Sequence, residues 1–168
     1  MLSESARAAS AAEARYRVAA PNSRARAVKV IALDDESEVI IKRLAEMPWR
    51  GATFLTVLRD PPGADQTFSM TGWLRDLAGH AKGLLDEIAG ADNVVMIAHA
   101  GSAPENASIV GEACSLRRVM TTGLIVSAPA TPDEVLSRTL AHLRPWALML
   151  VIATGEEYIA DMLAALQA

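Results

Sequence analysis

Gly90-Ala91-Asp92-Asn93, then Val94-Val95-Met96-Ile97-Ala98, then His99-Ala100-Gly101-Ser102-Ala103-Pro104 and a helix running to Val119: the order of these pieces decides how the chain folds. Five apolar residues between turn signals suit a strand covered on both faces, as the central members of a parallel sheet are. A glycine turn and a helix follow. The loop at the strand's carboxyl end is therefore of the kind where α/β proteins receive ligands.

The same grammar recurs on either side. Upstream, Val28 to Leu33 reads as a strand, and Asp34-Asp35-Glu36-Ser37-Glu38 opens a helix carrying Ile40, Leu44 and Met47 on one face before Pro48. Thr53 to Leu58 is a second strand, and the loop Arg59 to Asp65, with its two prolines, follows it. The spacing of Leu74, Leu77, Ala81, Leu84 and Ile88 predicts a long helix from about Ser69 or Thr71, with Gly79 and Gly83 inside it for close packing. Downstream of the central strand the predicted helix spans about 103–119. Gly123 to Ser127 is a fourth strand, and Thr131-Pro132-Asp133-Glu134 starts a helix with Leu136, Leu140 and Leu143 that Pro145 closes. Ala147 to Ala153 is a fifth strand, and Thr154-Gly155 turns it into a last helix with Ile159, Met162, Leu163 and Leu166.

Strict alternation of strand and helix implies parallel strands joined by right-handed crossovers. The expectation is an α/β three-layer sandwich, Rossmann-like, with a five-stranded parallel sheet in the order 2-1-3-4-5. One α/β domain covers 28–168. Residues 1–27, rich in Ala and Arg but without an apolar face, form a flexible or marginally helical N-terminal arm.

Composition narrows the function classes. The chain has 168 residues, enough for one core, and its 51% hydrophobic but only 4% aromatic content means that Ala, Val, Leu, Ile and Met fill that core. A net charge of −4 provides no field to gather nucleic acid or an anionic membrane surface, so neither is expected as a partner. The single Cys114 cannot form an internal disulfide. With no apolar stretch of membrane-spanning length and no leader pattern, a soluble cytoplasmic protein is expected. Trp49, Trp73 and Trp146 stand at element ends, positions that suit rim packing or a subunit contact.

In the expected order the first and third strands are neighbours whose connections leave in opposite directions, and the crevice beyond their carboxyl ends is the candidate site. Asp34, Asp35, Glu36 and Ser37 line it from one loop, and His99, Gly101, Ser102, Glu105 and Asn106 from the other. Candidate ligand contacts are His99, Gly101, Ser102, Asn106 and Ser127; candidate metal ligands are Asp34, Asp35 and Glu105, whose oxygens would suit Mg²⁺. Asp35 with Glu38, Ser102 with Glu105, and Thr131 with Glu134 have the spacing of capping boxes, which also describes well-capped helices and nothing more. Carboxylates at helix starts repel a bare phosphate. His99 and Ser102 lack a third, orienting group for nucleophilic chemistry, and Cys114 on a small-residue face is inert packing.

The segments Ala91 to Gly101, Thr122 to Pro129 and Leu148 to Ile152, with Val28 to Ile31 before them, resemble the nucleotide-binding half of the tubulin-type (FtsZ-type) bacterial cell-division GTPases over about 28–157. That family holds its phosphates in a glycine-rich G-G-G-T-G-[ST]-G loop. Here the corresponding run is Ala100-Gly101-Ser102-Ala103-Pro104-Glu105-Asn106, so the resemblance implies the fold without GTP hydrolysis. A second resemblance is to the receiver domain of two-component signalling, through Asp34-Asp35-Glu36 and Ser127-Ala128. Its phosphorylated aspartate falls at Ala98 or His99 and its lysine at Ala153-Thr154, which implies at most a pseudo-receiver.

The residues together point to a non-catalytic Rossmann-like module, a degenerate relative of nucleotide-binding domains, that acts through protein contacts or as a homo-oligomer. Two alternatives stand beside it: a Mg-dependent enzyme or sensor with a small molecule or nucleotide in the crevice, and a pseudo-receiver. Whether the chain is an enzyme is left open by its residues.

Overall fold

The computed structural model describes residues 25–58, 72–166 and 168. The predicted arm therefore lies outside the described residues up to position 24, as does the loop at 59–65. Seven strands and five helices follow in chain order: β1 Val28–Ala32, α1 Asp35–Leu44, β2 Ala52–Leu58, β3 Trp73–Asp76, β4 Ala81–Gly83, α2 Leu84–Ile88, β5 Asn93–His99, α3 Ala107–Arg117, β6 Met120–Val126, α4 Asp133–Leu143, β7 Met149–Ala153 and α5 Glu156–Ala165.

The strands form one mixed sheet in the order β4-β3-β2-β1-β5-β6-β7. This corrects the expected five-stranded, wholly parallel sheet. β2, β1, β5, β6 and β7 run parallel to one another, whereas β3 joins β2 and β4 joins β3 antiparallel. The two extra strands occupy the segment read as a long helix. Leu74, Leu77, Ala81, Leu84 and Ile88 have helical spacing, but Leu77 is 44% exposed and Ala81 is exposed, so no continuous apolar stripe exists there. Gly79 sits at φ +89°, a conformation that turns the chain, and the Asp76 carboxylate accepts the His80 N–H across that turn. Only Leu84–Ile88 remains helical.

β5 carries the fold. Every residue from Asn93 to Ala98 is buried, because helices cover both faces. On one face Ile31, Val94, Met96, Ala98 and Ile125 pack beneath α2, α3 and α4; on the other Val28, Val30, Val95, Ile97 and Leu124 pack beneath α1 and α5. Residues of alternate parity thus feed opposite cores, as the period of a strand requires. At the amino ends Asn93 donates to the Thr122 hydroxyl at 3.3 Å, matching a polar group to a polar group inside the sheet.

Two close approaches place the outer helices. At Gly111 on α3 an added Cβ would lie 2.5 Å from Cβ of Trp146, so glycine is what lets the indole lie against that helix. Lys29 on β1 reaches Glu87 on α2 at 3.0 Å, both side chains mostly covered. Burial of Glu87 pushes its pKa up, but Lys29 and then Lys82 outweigh this and the net shift is downward. Glu38 is likewise lowered, first by its hydrogen bond to Lys42, with burial opposing and Arg75 assisting.

Gly111→Ala is expected to destabilise the protein by about 1–3 kcal/mol through overpacking against Trp146, measured as a lower urea midpoint with unchanged slope. Because the folded-state pKa of Glu87 is depressed, its pair with Lys29 stabilises the protein above the ordinary value of 4.5 and loses that contribution as pH falls through the folded value. The urea midpoints of wild type and Glu87→Gln should therefore differ at neutral pH, by about 1 kcal/mol or less in stability, and converge in acid.

Candidate functional site

At the carboxyl end of β1 the chain leaves the sheet at Leu33, whose N–H donates to the Ile97 carbonyl at 2.9 Å, and the next residue caps α1. Asp34 has extended backbone and accepts through one carboxylate oxygen from the Ser37 N–H at 2.8 Å and the Ser37 hydroxyl at 2.7 Å. Its other oxygen accepts from the His99 N–H, at the end of β5, at 2.8 Å. One side chain thus caps a helix and ties the two central strands together. The cap is one residue earlier than the Asp35–Glu38 box expected from sequence.

The other two expected boxes are also absent. α3 starts after Asn106 and α4 after Pro132, and neither helix receives a side-chain cap bond. The amides of Ala107 and Ser108 donate instead to the Pro104 and Glu105 carbonyls, in tight turns that lead into α3. Ser102 faces the other way, its hydroxyl donating to the His99 carbonyl at 2.7 Å.

The β5–α3 loop is closed by a residue the sequence reading did not select. Thr139, fully buried on α4, accepts the Gly101 N–H at 2.9 Å and donates to the Ser102 carbonyl at 2.8 Å. Gly101 itself stands at φ +97°, the left-handed region where glycine is at home, and an added Cβ would come within 3.0 Å of Val135. The available signal was a hydroxyl on the apolar stripe Leu136, Leu140, Leu143 of α4, which implies a buried polar partner.

Most of the candidate residues do meet. One open hollow of about 450 Å³ is lined by Leu33, Asp34, Ser102, Ala103, Pro104, Glu105 and Asn106. A second, of about 460 Å³, is lined by Asp34, Asp35, Glu36, His99, Ala100, Gly101 and Ser102. Ser127 is not among either lining; it is buried, with its N–H on the Ala153 carbonyl at 2.9 Å. The metal candidates do not converge. Among the described residues no three His, Cys, Asp or Glu side chains are grouped to hold an ion, and the Asp34 oxygens already serve the backbone and Ser37.

The chemistry within reach is limited. The His99 ring pairs with Glu36 at 2.7 Å, and the Ser102 hydroxyl is directed at a carbonyl, so no base faces a nucleophile. At the opposite pole a hollow of about 510 Å³ lies among Cys114, Arg118, Met120, Trp146 and Leu148. Burial pushes the Cys114 thiol up to about 12, which keeps it a thiol rather than a thiolate.

No protein-family model matches the chain, and no curated protein matches it. Among solved structures it is similar to a flavoprotein in complex with FMN from Lactobacillus acidophilus NCFM, at 8% identity and a TM-score of 0.51, over 83% of this chain and 99% of that one. The apo-form of that flavoprotein gives 9% identity and a TM-score of 0.46 over 82% and 99% of the two chains. Translation elongation factor SelB from Methanococcus maripaludis gives 10% and 0.48 over 84% of this chain and 36% of its own. At such identity the first likeness shows a shared α/β fold and nothing about the site.

Asp34→Ala would strand the Ser37 and His99 donors together. A loss of about 1–3 kcal/mol is expected by chemical denaturation, with Asp34→Asn retaining part of the stability because its amide oxygen still accepts.

Proposed function

We propose that this chain is a non-catalytic Rossmann-like module, a degenerate relative of nucleotide-binding domains, that works through protein contacts. The observation that carries this reading is that key hydrogen-bonding groups of the switch-point loop are spent within the protein. The Gly101 amide is held by Thr139, the His99 amide by Asp34, and the Ser102 hydroxyl by the His99 carbonyl. A phosphate site needs such donors free and turned outward at a helix start. What the crevice presents to solvent is instead carboxylate: Asp35, Glu36 and Glu105 are all exposed. A dianionic phosphate would meet like charge there, with the His99 and Gly101 amides already committed to Asp34 and Thr139.

Protein contact is supported from the surface. Leu116 is 78% exposed, Leu148 80% and Met120 54%, a density of bare apolar side chains near the amino ends of β6 and β7 that suits a macromolecular neighbour.

A thermal-shift series with FMN, GTP, ATP and NAD, each with and without Mg²⁺, tests the reading. No ligand should move the melting temperature. A true ligand at a hundred times its Kd adds about 2.7 kcal/mol, enough for a rise of about 5 °C or more in a domain of this size. A Mg²⁺-dependent rise abolished by Asp35→Ala would favour a metal-dependent ligand site over the non-catalytic module.

A further inference from the structure

The two edges of the sheet differ in kind. β4 is three residues long and carries Lys82, which reaches Glu87 at 3.4 Å and Asp76 at 3.7 Å; a short, charged edge discourages further pairing. β7 is Met149-Leu150-Val151-Ile152-Ala153, without charge or proline, and Met149 and Ile152 are 43% and 44% exposed. Nothing in this strand opposes addition of another.

The main chain of β7 states which groups are free. Ala153 accepts the Ser127 N–H, so its carbonyl faces β6; with a period of two, Val151 and Met149 face the same way. Leu150 and Ile152 then turn their N–H and C=O groups outward. No described strand pairs with that side.

We propose that β7 is where two copies of this chain join, antiparallel, about a twofold axis at Val151. This rests on the protein-contact reading above and names the partner. With Val151 opposite its own copy, Leu150 of each chain exchanges both backbone hydrogen bonds with Ile152 of the other, and all the outward groups of those two residues are used. The axis stands perpendicular to the sheet, so each face continues across the join and α4 runs antiparallel to its copy.

The charges of α4 suit that arrangement. Val135 and Thr139 face the Gly101 loop, toward the middle of the sheet. Asp133, Ser137 and Arg144 lie on the flank turned the other way, at spacings of four and seven, and all are exposed. An antiparallel copy sets Asp133 of each helix against Arg144 of the other, giving two equivalent intermolecular ion pairs.

Light scattering on the full chain across a concentration series should give the mass of a dimer, and Ile152→Lys, at a half-exposed position compatible with folding, should give a monomer. Arg144→Asp, which sets two aspartates together, should raise the dimer Kd about tenfold or more, and Asp133→Arg with Arg144→Asp should restore it. Oxidised Val151→Cys should cross-link to its copy, whereas Met149→Cys, opposite Ala153 in this register, should not. A monomer at every concentration overturns the pairing, as does a monomer whose Leu150 and Ile152 amides resist hydrogen exchange, since another part of the chain then covers the edge. So does a charge-reversed double variant no tighter than Arg144→Asp, or a dimer indifferent to Ile152→Lys. The ligand series decides the non-catalytic reading separately, so a monomer without ligand response removes this inference and leaves that reading in place.

Discussion

A single carboxylate holds the working end of this molecule together. Asp34 receives the Ser37 amide, the Ser37 hydroxyl and the His99 amide, and so fastens the first helix and the central strand to the end of β1. Hydrogen bonds to a charged acceptor are stronger than neutral ones, and this side chain makes three. The arrangement explains the character of the crevice. The amide at the end of β5, which a nucleotide-binding loop would leave open, is committed to the protein. Thr139 does the same for Gly101 from the other side, so two amides of the loop are spent on the protein itself.

The fold's centre was legible because its signals agree with one another. Val94 to Ala98 is an uninterrupted apolar run with turns at both ends, and each parallel strand found by the same pattern lies within a residue or a few of its structural limits. The segment from Gly72 to Ile88 was not legible, because two periods compete there. Leucine at helical spacing outvoted Gly79, although the glycine marks the turn between β3 and β4 and Leu77 is on the surface. The site was legible as a place and misread in its connections. Asp34, His99, Gly101, Ser102, Glu105 and Asn106 meet around adjoining hollows, but the bonds among them depend on the reach of α4, whose Thr139 lies 38 residues beyond Gly101. Local spacing has no access to a contact of that range. It also placed the cap on Asp35 when the geometry selects Asp34.

The likeness to the flavoprotein, spanning 99% of that chain at 8% identity, illustrates how little a shared architecture says about chemistry. An α/β sandwich provides the same crevice to any sequence that adopts it. Which amides stay open there, which helix starts remain uncapped and what charge surrounds them are set by a handful of residues; in this chain Asp34 caps α1 and takes the His99 amide, and Thr139 takes that of Gly101.

The unequal edges of the sheet bear on how large any assembly can grow. A strand row with two receptive sides propagates head to tail into a fibre, whereas one with a receptive side and a blunted side stops after a single symmetric encounter. If β7 joins a copy as proposed, Lys82 at the β4 margin, held near Asp76 and Glu87, puts this molecule in the second class. A pair joined through β7 would present only its two β4 margins, so an uncharged edge need not seed aggregates of indefinite length.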